Sequence, residues 1–270
     1  MKAFGLCSKA LSVALEIWEW TKMTGFLLFK RSIDAVFRNL DDALAISGLL
    51  WIALTAVVVC LSSFAPEIII EQGEQPDLSP FIWILLPNLG TLLVGIWVAV
   101  EWHRFALLGV RPTRVFPQFH MPLIVGYLGK SLKIMALMIG IAFAIILVAT
   151  LIGTIAGVVD QMLAVVPVIS ILVVFVVFYR LSPVLPATAI GKSMTLKEAW
   201  ERTKPIQKEI YQAVFLVVLV TLVAQVPLFV INVEIIALIY SLAVGWVGLM
   251  VGVSLLSAIY EMLDDRQDQL

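Results

Sequence analysis

The sequence predicts an all-α, polytopic membrane protein with six transmembrane helices, and three observations support this. Of its 270 residues, 61% are hydrophobic and only 14% are charged, which excludes a water-soluble globular domain. The charged residues leave six apolar windows, each long enough for the helix of roughly 20 residues that crosses a bilayer. Every lysine and arginine flanks these windows on the same side. The windows are residues 43–64, 81–100, 134–159, 161–179, 210–233 and 235–260.

The basic residues also orient the windows. All 18 lysines and arginines lie before window one, between windows two and three, between windows four and five, or after window six. In the other connections, every charged residue is acidic. Positively charged flanks are retained in the cytoplasm, so we expect both termini there, in a multi-pass protein of a bacterial inner membrane. The chain then divides into a cytoplasmic interfacial segment, a six-helix domain and an acidic tail, at residues 1–42, 43–260 and 261–270.

Two amphipathic helices are predicted before window one. Residues 6–20 place polar side chains along one stripe at spacings of three and four, and residues 26–40 do the same with Lys30, Asp34 and Arg38. Such helices lie in the membrane interface, where each basic residue near anionic headgroups contributes about 1 kcal/mol. The apolar face of the second helix carries Phe26, Phe29, Ile33, Val36, Phe37 and Leu40.

The connections are rich in residues that end helices. Residues 65–80 hold three prolines, one glycine and four acids, which predicts an outside loop. Prolines at positions 112, 117 and 122 predict repeated helix breaks before window three. Ser193 or Thr195, followed by Glu198, predicts the start of a short helix over 196–204, which Pro205 ends or bends.

Three segments that precede spans share an apolar, small and aromatic residue at i, i+3 and i+4. The pattern predicts three repeats of an interfacial helix followed by a transmembrane hairpin, arranged about an axis along the membrane normal. The three sets are Ile33, Val36 and Phe37; Leu123, Gly126 and Tyr127; and Leu196, Ala199 and Trp200.

Prolines inside three spans have polar neighbours. Broken helices can free backbone groups that bind a substrate at mid-membrane, which makes Asn88 and Gln225 candidate transport residues. The alternative is a simple kink whose freed carbonyl is satisfied by neighbouring helices. The pairs are Pro87 with Asn88, Pro167 with Ser170, and Pro227 with Gln225.

Small residues recur about every four positions in two spans. Such faces let helix backbones approach closely, so they predict packing within the bundle, self-association or contact with another membrane protein. A gating hinge is the alternative. The residues are Ala149, Gly153 and Gly157 in window three, and Ser241, Gly245, Gly248 and Gly252 in window six.

The densest polar cluster comprises Glu101, Trp102, His103 and Arg104 at the end of window two. Ionisable groups at the membrane edge can relay protons or capture a lipid headgroup. The alternative is an interfacial anchor, in which Trp102 joins the aromatic belt and Arg104 snorkels to phosphate.

Basic residues beside the spans form a surface suited to anionic lipid, so we expect membrane lipids as partners. Retention of basic loops in the cytoplasm would alone produce the same surface. Arg180 lies inside the membrane if its span continues past Pro183, and it snorkels if the span ends at Tyr179. The headgroup candidates are Lys30, Arg31, Arg104, Arg111, Arg114, Arg180 and Lys192.

Several kinds of chemistry have no signal in the sequence. A net charge of −1 argues against a nucleic-acid partner. Two cysteines and two histidines are too few for a zinc or disulfide framework, and nucleotide loops, nucleophile elbows and metalloprotease motifs are absent. We therefore predict no catalytic residue, no metal site and no cofactor.

Residues 181–204, LSPVLPATAIGKSMTLKEAWERTK, carry a span ending in Leu-Pro-Ala, a Gly-containing turn and a Leu-x-Glu-Ala-Trp helix. This stretch resembles the six-span membrane domain found with some glycerophosphoryl diester phosphodiesterases, and stand-alone bacterial relatives of that domain. The resemblance implies a fold and proximity to lipid. The hydrolase domain has no counterpart in this chain, so no catalytic residue carries over.

Three functions remain open on the sequence. The leading hypothesis is a non-catalytic inner-membrane protein that acts as a lipid-associated scaffold or assembly partner. A small transporter or channel is the second, and it requires the polar residues beside the prolines to face a cavity at mid-depth. The third is an enzyme that modifies lipid headgroups with Glu101, His103 and Arg104.

Overall fold

The computed structural model describes residues 24–64, 79–112 and 118–267, and within these ranges the chain is all-α. Six segments are long and apolar enough to cross a membrane, which confirms the predicted six-span fold: Leu40–Leu61, Leu85–Leu108, Met121–Ala156, Val165–Ala189, Leu196–Phe229 and Glu234–Asp265. The helices are α1 Thr24–Phe37, α2 Leu40–Ser63, α3 Ser79–Leu108, α4 Met121–Ala156, α5 Val159–Leu181, α6 Val184–Ala189, α7 Leu196–Thr203, α8 Gln207–Gln225 and α9 Glu234–Gln267. The predicted helix 6–20 lies outside the described residues.

Several spanning helices continue past their apolar windows at one end of the bundle, which we call the basic end. There α2, α4 and α8 begin and α3, α5 and α9 end. With 36 residues, α4 is roughly 54 Å long at 1.5 Å per residue, well beyond a hydrocarbon core of about 30 Å. The extra turns carry charges such as Glu101 and Lys130, and they form most of the protein core.

The predicted helix breaks before window three do not all occur. Pro122 occupies the first turn of α4, where its missing N–H is not needed, and the helix continues without interruption to Ala156. Leu123, Gly126 and Tyr127 are therefore the first turns of the span, so the second predicted repeat has no separate interfacial helix.

Buried residues concentrate at the basic end. They include α2 as far as Leu50, α3 from Ile96 onward and α9 from Met250 onward. In the six candidate spans, only 6–33% of the residues in the most apolar window are buried. The remaining apolar side chains face outward, as expected where the surroundings are lipid.

The chain forms three hairpins, α2–α3, α4–α5 and α8–α9, and the two helices of each hairpin are in contact. The segment that precedes each hairpin packs on another hairpin, and the three contacts form a ring. The start of α4 packs on α3, and α7 packs on α5. The first segment, α1, packs on α9 and so closes the ring. Each segment thus contacts the second helix of the preceding hairpin, an order that parallel repeats about one axis would produce.

Helix α1 is amphipathic as predicted, with one polar and one apolar face. A third face, which is buried against the bundle, determines where the helix lies. Leu28, Ser32 and Val36, at four-residue spacing, are buried against the bundle. At Gly25 the backbone approaches α8 so closely that a Cβ would clash with the Gln212 side chain and lie 2.7 Å from the Glu209 carbonyl oxygen. The helix is thus held between α8 and α9 rather than resting on lipid alone.

Two of the seven small residues of windows three and six, Gly153 and Gly245, lie in close contacts between helices of the chain. A Cβ at Gly153 would lie 3.1 Å from Met162 Cγ on α5, and Gly157 ends α4 in the left-handed conformation with φ 69°. A Cβ at Gly245 would lie 3.1 Å from the Trp51 ring of α2. These contacts match the packing interpretation.

Candidate functional site

The stretch after α5 forms the centre of the basic end. A turn at Ser182 and Pro183 leads into the short helix α6, which is almost wholly buried against α3, α4 and α9. Gly191, with φ 78°, makes the turn that follows. Of the two predicted N-caps, Ser193 and Thr195, the helix uses Thr195: its hydroxyl accepts from the Glu198 N–H while the Glu198 carboxylate accepts from the Thr195 N–H. The sequence did not predict α6.

Arg180, a predicted headgroup candidate, is buried. Its Nη2 donates to the Trp200 carbonyl oxygen at 2.7 Å, its Nε lies 3.4 Å from Thr203 Oγ1, and its guanidinium carbon stacks 3.6 Å above the Trp200 ring. The chain also continues past Pro183 as buried helix. Arg180 therefore joins α5 to α7 inside the bundle, and it belongs to the core rather than to the headgroup surface.

Two members of the predicted polar cluster, Trp102 and His103, are fully buried and face α9. Trp102 Nε1 donates to Ser254 Oγ at 2.8 Å. His103 Nδ1 lies 2.8 Å from Ser257 Oγ, and its Nε2 lies 3.3 Å from the Tyr127 hydroxyl of α4. A neutral imidazole satisfies both contacts, because one ring nitrogen donates and the other accepts. The interfacial-anchor interpretation is thus wrong for Trp102, which is a core residue.

Glu101 faces the segment that leads into α4. Its Oε1 lies 2.7 Å from His120 Nδ1, and nearby Trp97 Nε1 donates to the Gln118 carbonyl oxygen at 3.2 Å. Trp97 also meets the Phe119 ring edge to face. These contacts fix residues 118–120 on α3, so Glu101 has a structural partner.

The remaining headgroup candidates occupy different environments. Lys30, Arg31 and Arg111 are exposed, with Arg111 Nε 4.0 Å from Asp42. The half-buried Arg104 has a buried Nε that finds no hydrogen-bond acceptor among residues 24–64, 79–112 and 118–267. Arg114 lies outside the described residues.

Lys192 is exposed and already engaged. Its Nζ donates to Asp264 at 3.2 Å and lies 5.8 Å from the centroid of the Tyr260 ring. The hydrogen bond with Asp264 raises the pKa of the Lys192 ammonium above its ordinary value. Because Asp264 neutralises it, Lys192 offers less to a headgroup than its position suggested.

A cavity of about 720 Å³ opens at the basic end between α1, the end of α3 and the last turns of α9. We call it the basic-end cavity. Its floor includes Trp102, Ser254 and Ser257, so the buried histidine lies directly behind it. Charged residues of both signs form its walls: Arg31, Asp34, Arg38, Arg111, Glu261 and Asp265.

An apolar groove of about 320 Å³ lies on the opposite side of α1, between α1, α8 and α9. We call it the α1 groove. Thr221 alone, among the described residues that line it, has a polar side chain. The others are Phe29, Ile33, Phe37, Val217, Val220, Ala224, Ala243, Val244, Val247, Gly248 and Val251. A second apolar groove, of about 620 Å³ between α2 and α9, has no basic residue in its lining.

The residues proposed for transport do not converge. Asn88 and Gln225 are exposed, and Ser170 is buried in α5. Pro87 and Pro167 lie inside uninterrupted helices, whereas Pro227 lies in the 3₁₀ turn Val226–Phe229 at the end of α8. The transport hypothesis required these side chains to face a cavity at mid-depth, so their positions count against it.

Sequence reasoning missed the partners on α9. Neither Ser254 nor Ser257, both in apolar window six, was a candidate, and Tyr127 was assigned to a repeat. The available signal was position: both serines lie in the last turns of a long helix, level with the polar cluster on α3. Among the described residues, no group of three or more histidine, cysteine or acidic side chains is placed to hold a metal ion.

Comparison with known proteins identifies no family. No protein-family model matches the sequence, and no curated protein or solved structure is significantly similar to it. The resemblance based on residues 181–204 therefore stays a prediction. What the fold supports is the coarser conclusion: six long apolar helices make this chain an integral, multi-pass membrane protein.

Proposed function

We propose that the protein is a non-catalytic, lipid-associated protein of a bacterial cytoplasmic membrane, and that a phospholipid occupies the α1 groove. The observation that carries this proposal is the groove itself, which is apolar and lies between α1 and the spanning helices α8 and α9. Lipid surrounds such a groove on its open side, so an acyl chain is its natural occupant.

The charges on α1 favour an anionic headgroup. Lipid tails are as apolar as leucine, so an acyl chain that moves from the bilayer into the groove gains little free energy of burial. The groove therefore contributes to binding mainly through its shape. Selectivity must come from polar contacts, and each basic residue near an anionic headgroup contributes about 1 kcal/mol. Lys30 is exposed on α1, next to the groove residue Phe29.

A groove-filling substitution tests the site. A Cβ at Gly248 meets nothing within 4 Å, so Gly248→Leu places its side chain in the groove without a backbone clash. Gly252→Leu is the matched control, because it lies one turn further along α9, is equally unobstructed and is not among the groove residues. Native mass spectrometry of gently extracted protein should show a bound phospholipid in the wild type and in Gly252→Leu, and its loss in Gly248→Leu.

A charge reversal tests the headgroup. We expect Lys30→Glu to shift the retained lipid from anionic to zwitterionic species, while Lys133→Glu, an equal change at an exposed position on α4, leaves the lipid unchanged. A wild-type protein without phospholipid, or the same lipid complement in both glycine variants, would contradict the proposal.

A further inference from the structure

The α9 wall of the basic-end cavity combines two buried serines, Ser254 and Ser257, with two exposed carboxylates, Glu261 and Asp265. Ser254, Ser257, Glu261 and Asp265 all line the cavity, and their spacing of three or four residues places them on one helix face. Ser254 Oγ already accepts from Trp102 and donates to the Met250 carbonyl oxygen, so the acceptors that a ligand can reach are the two carboxylates. This wall therefore suits a group rich in N–H donors.

Two acids on that wall line the cavity without a partner among the described residues. Glu261 and Asp265 make no ion pair or hydrogen bond within residues 24–64, 79–112 and 118–267, whereas the adjacent Asp264 pairs with Lys192 outside the cavity. A ligand cation would find two carboxylates one helical turn apart.

The facing wall, on α1, is cationic. Arg31 and Arg38 both line the cavity. Arg38 pairs with Asp34 at 3.3 Å, but Arg31 has no ion pair or hydrogen bond with any described residue. An arginine guanidinium with free donors matches the geometry of a phosphate.

We infer that the basic-end cavity binds a zwitterion with a primary ammonium and a phosphate, the chemistry of a phosphoethanolamine group. The ammonium faces Glu261 and Asp265, and the phosphate faces Arg31. Its volume of about 720 Å³ lies within the range of roughly 300–1,000 Å³ of small-molecule sites. Because α1 separates this cavity from the α1 groove, the inference does not depend on the proposed function.

The ammonium distinguishes this ligand from its closest analogue. A primary ammonium has three N–H donors for the acceptors of α9, whereas the quaternary ammonium of phosphocholine has none. The same headgroup chemistry is available from a free metabolite or from a phospholipid, so the experiment has one arm for each source.

The first arm uses free phosphoethanolamine and phosphocholine, titrated calorimetrically into the full chain in a neutral detergent. We expect phosphoethanolamine to bind at least tenfold more tightly. The double substitution Glu261→Gln with Asp265→Asn should abolish this preference, and Arg31→Gln should weaken both ligands about tenfold. Asp264→Asn and Lys133→Gln, at positions that do not line the cavity, are the controls and should bind as the wild type does.

The second arm measures lipid retention in nanodiscs that contain equal amounts of phosphatidylethanolamine and phosphatidylcholine. Enrichment of phosphatidylethanolamine that the double substitution removes would identify a lipid headgroup as the ligand, and binding in the first arm alone would identify a free zwitterion. Absence of binding in both arms, equal binding of phosphocholine, or equal weakening by the controls would overturn the inference. Gly248→Leu should leave phosphoethanolamine binding intact, which separates this site from the α1 groove.

Discussion

At the scale of single residues, Arg180 shows how one side chain determines local structure. Its guanidinium bonds the last turns of α7 and stacks on Trp200. Thr203 Oγ1 lies within hydrogen-bond distance of the Arg180 carbonyl oxygen at 3.2 Å, so the two helices are joined in both directions. The arginine guanidinium is planar and always charged, so it can stack on a ring and donate several hydrogen bonds at once. A lysine ammonium would lose both the stacking and this planar set of donors.

We therefore predict that Arg180→Lys is not a conservative change. Loss of the stacking and of one charged hydrogen bond should lower the free energy of unfolding by about 2 kcal/mol, and Arg180→Leu by about 3 kcal/mol, because the Trp200 carbonyl loses its donor. Thermal or denaturant unfolding in detergent measures both variants.

The control is Lys204→Leu, which removes a basic residue that is exposed at the same end of the bundle. Exposed substitutions usually change stability by less than about 0.5 kcal/mol. An effect of Arg180→Lys as small as that of this control would contradict the role of the Arg180 stacking and hydrogen bonds in joining α5 to α7.

At the scale of elements, α1 is the helix whose docking shapes both candidate sites. One side of it closes the α1 groove with Phe29, Ile33 and Phe37, and the other supplies Arg31 to the basic-end cavity. Its position depends on close backbone contact with α8 at Gly25. A change that moves α1 would therefore alter both sites together.

We predict that Gly25→Ala displaces α1. Glycine to alanine in a helix ordinarily stabilises by roughly 0.5–1 kcal/mol, but here the new methyl group meets the Gln212 side chain and the Glu209 carbonyl. Faster tryptic cleavage at Lys30 and Arg31, with a lower melting temperature, would report the displacement.

Gly129→Ala serves as the control, because a Cβ at Gly129 of α4 meets nothing within 4 Å. It should leave cleavage unchanged and raise the melting temperature slightly. Equal behaviour of the two alanine variants would show that α1 does not need close contact with α8.

At the scale of the whole molecule, the two ends of the bundle are stabilised differently. At the basic end, hydrogen bonds and buried side chains hold the helices together, including Trp102 with Ser254 and Arg180 with Trp200. Toward the other end the apolar side chains are mostly exposed, and lipid tails solvate them as well as a neighbouring helix would. We expect lipid to fill the spaces between the helices there.

The orientation of this bundle gives a testable prediction. In a variant whose two cysteines are replaced by serine, Asn232→Cys in the turn between α8 and α9 should react with a membrane-impermeant maleimide on intact cells. Ser193→Cys, exposed at the basic end, should react only after the membrane is permeabilised. Labelling of Ser193→Cys from outside would reverse the topology.

Local properties of the sequence were enough for the number of spans and for the start of α7, but not for every boundary, since α4 begins at Met121 rather than at residue 134. Hydropathy located six helices because crossing a bilayer requires about 20 apolar residues in a row. Thr195 and Glu198 predicted the start of α7 because a capping box involves residues only three apart. Pro205 likewise marked its end, where the chain changes to a 3₁₀ turn.

Only the tertiary structure decided which residues meet across the bundle. His103 lies 154 positions from Ser257 in the sequence. A hydropathy profile reports only local composition, so it cannot show that two such distant residues are in contact. Arg180 had two possible depths until α6 and α7 were seen to enclose it. The sequence by itself determined that this chain spans a membrane six times. Packing at the basic end determined which of its polar residues are buried partners and which still face a cavity, because burial depends on neighbours that are distant along the chain.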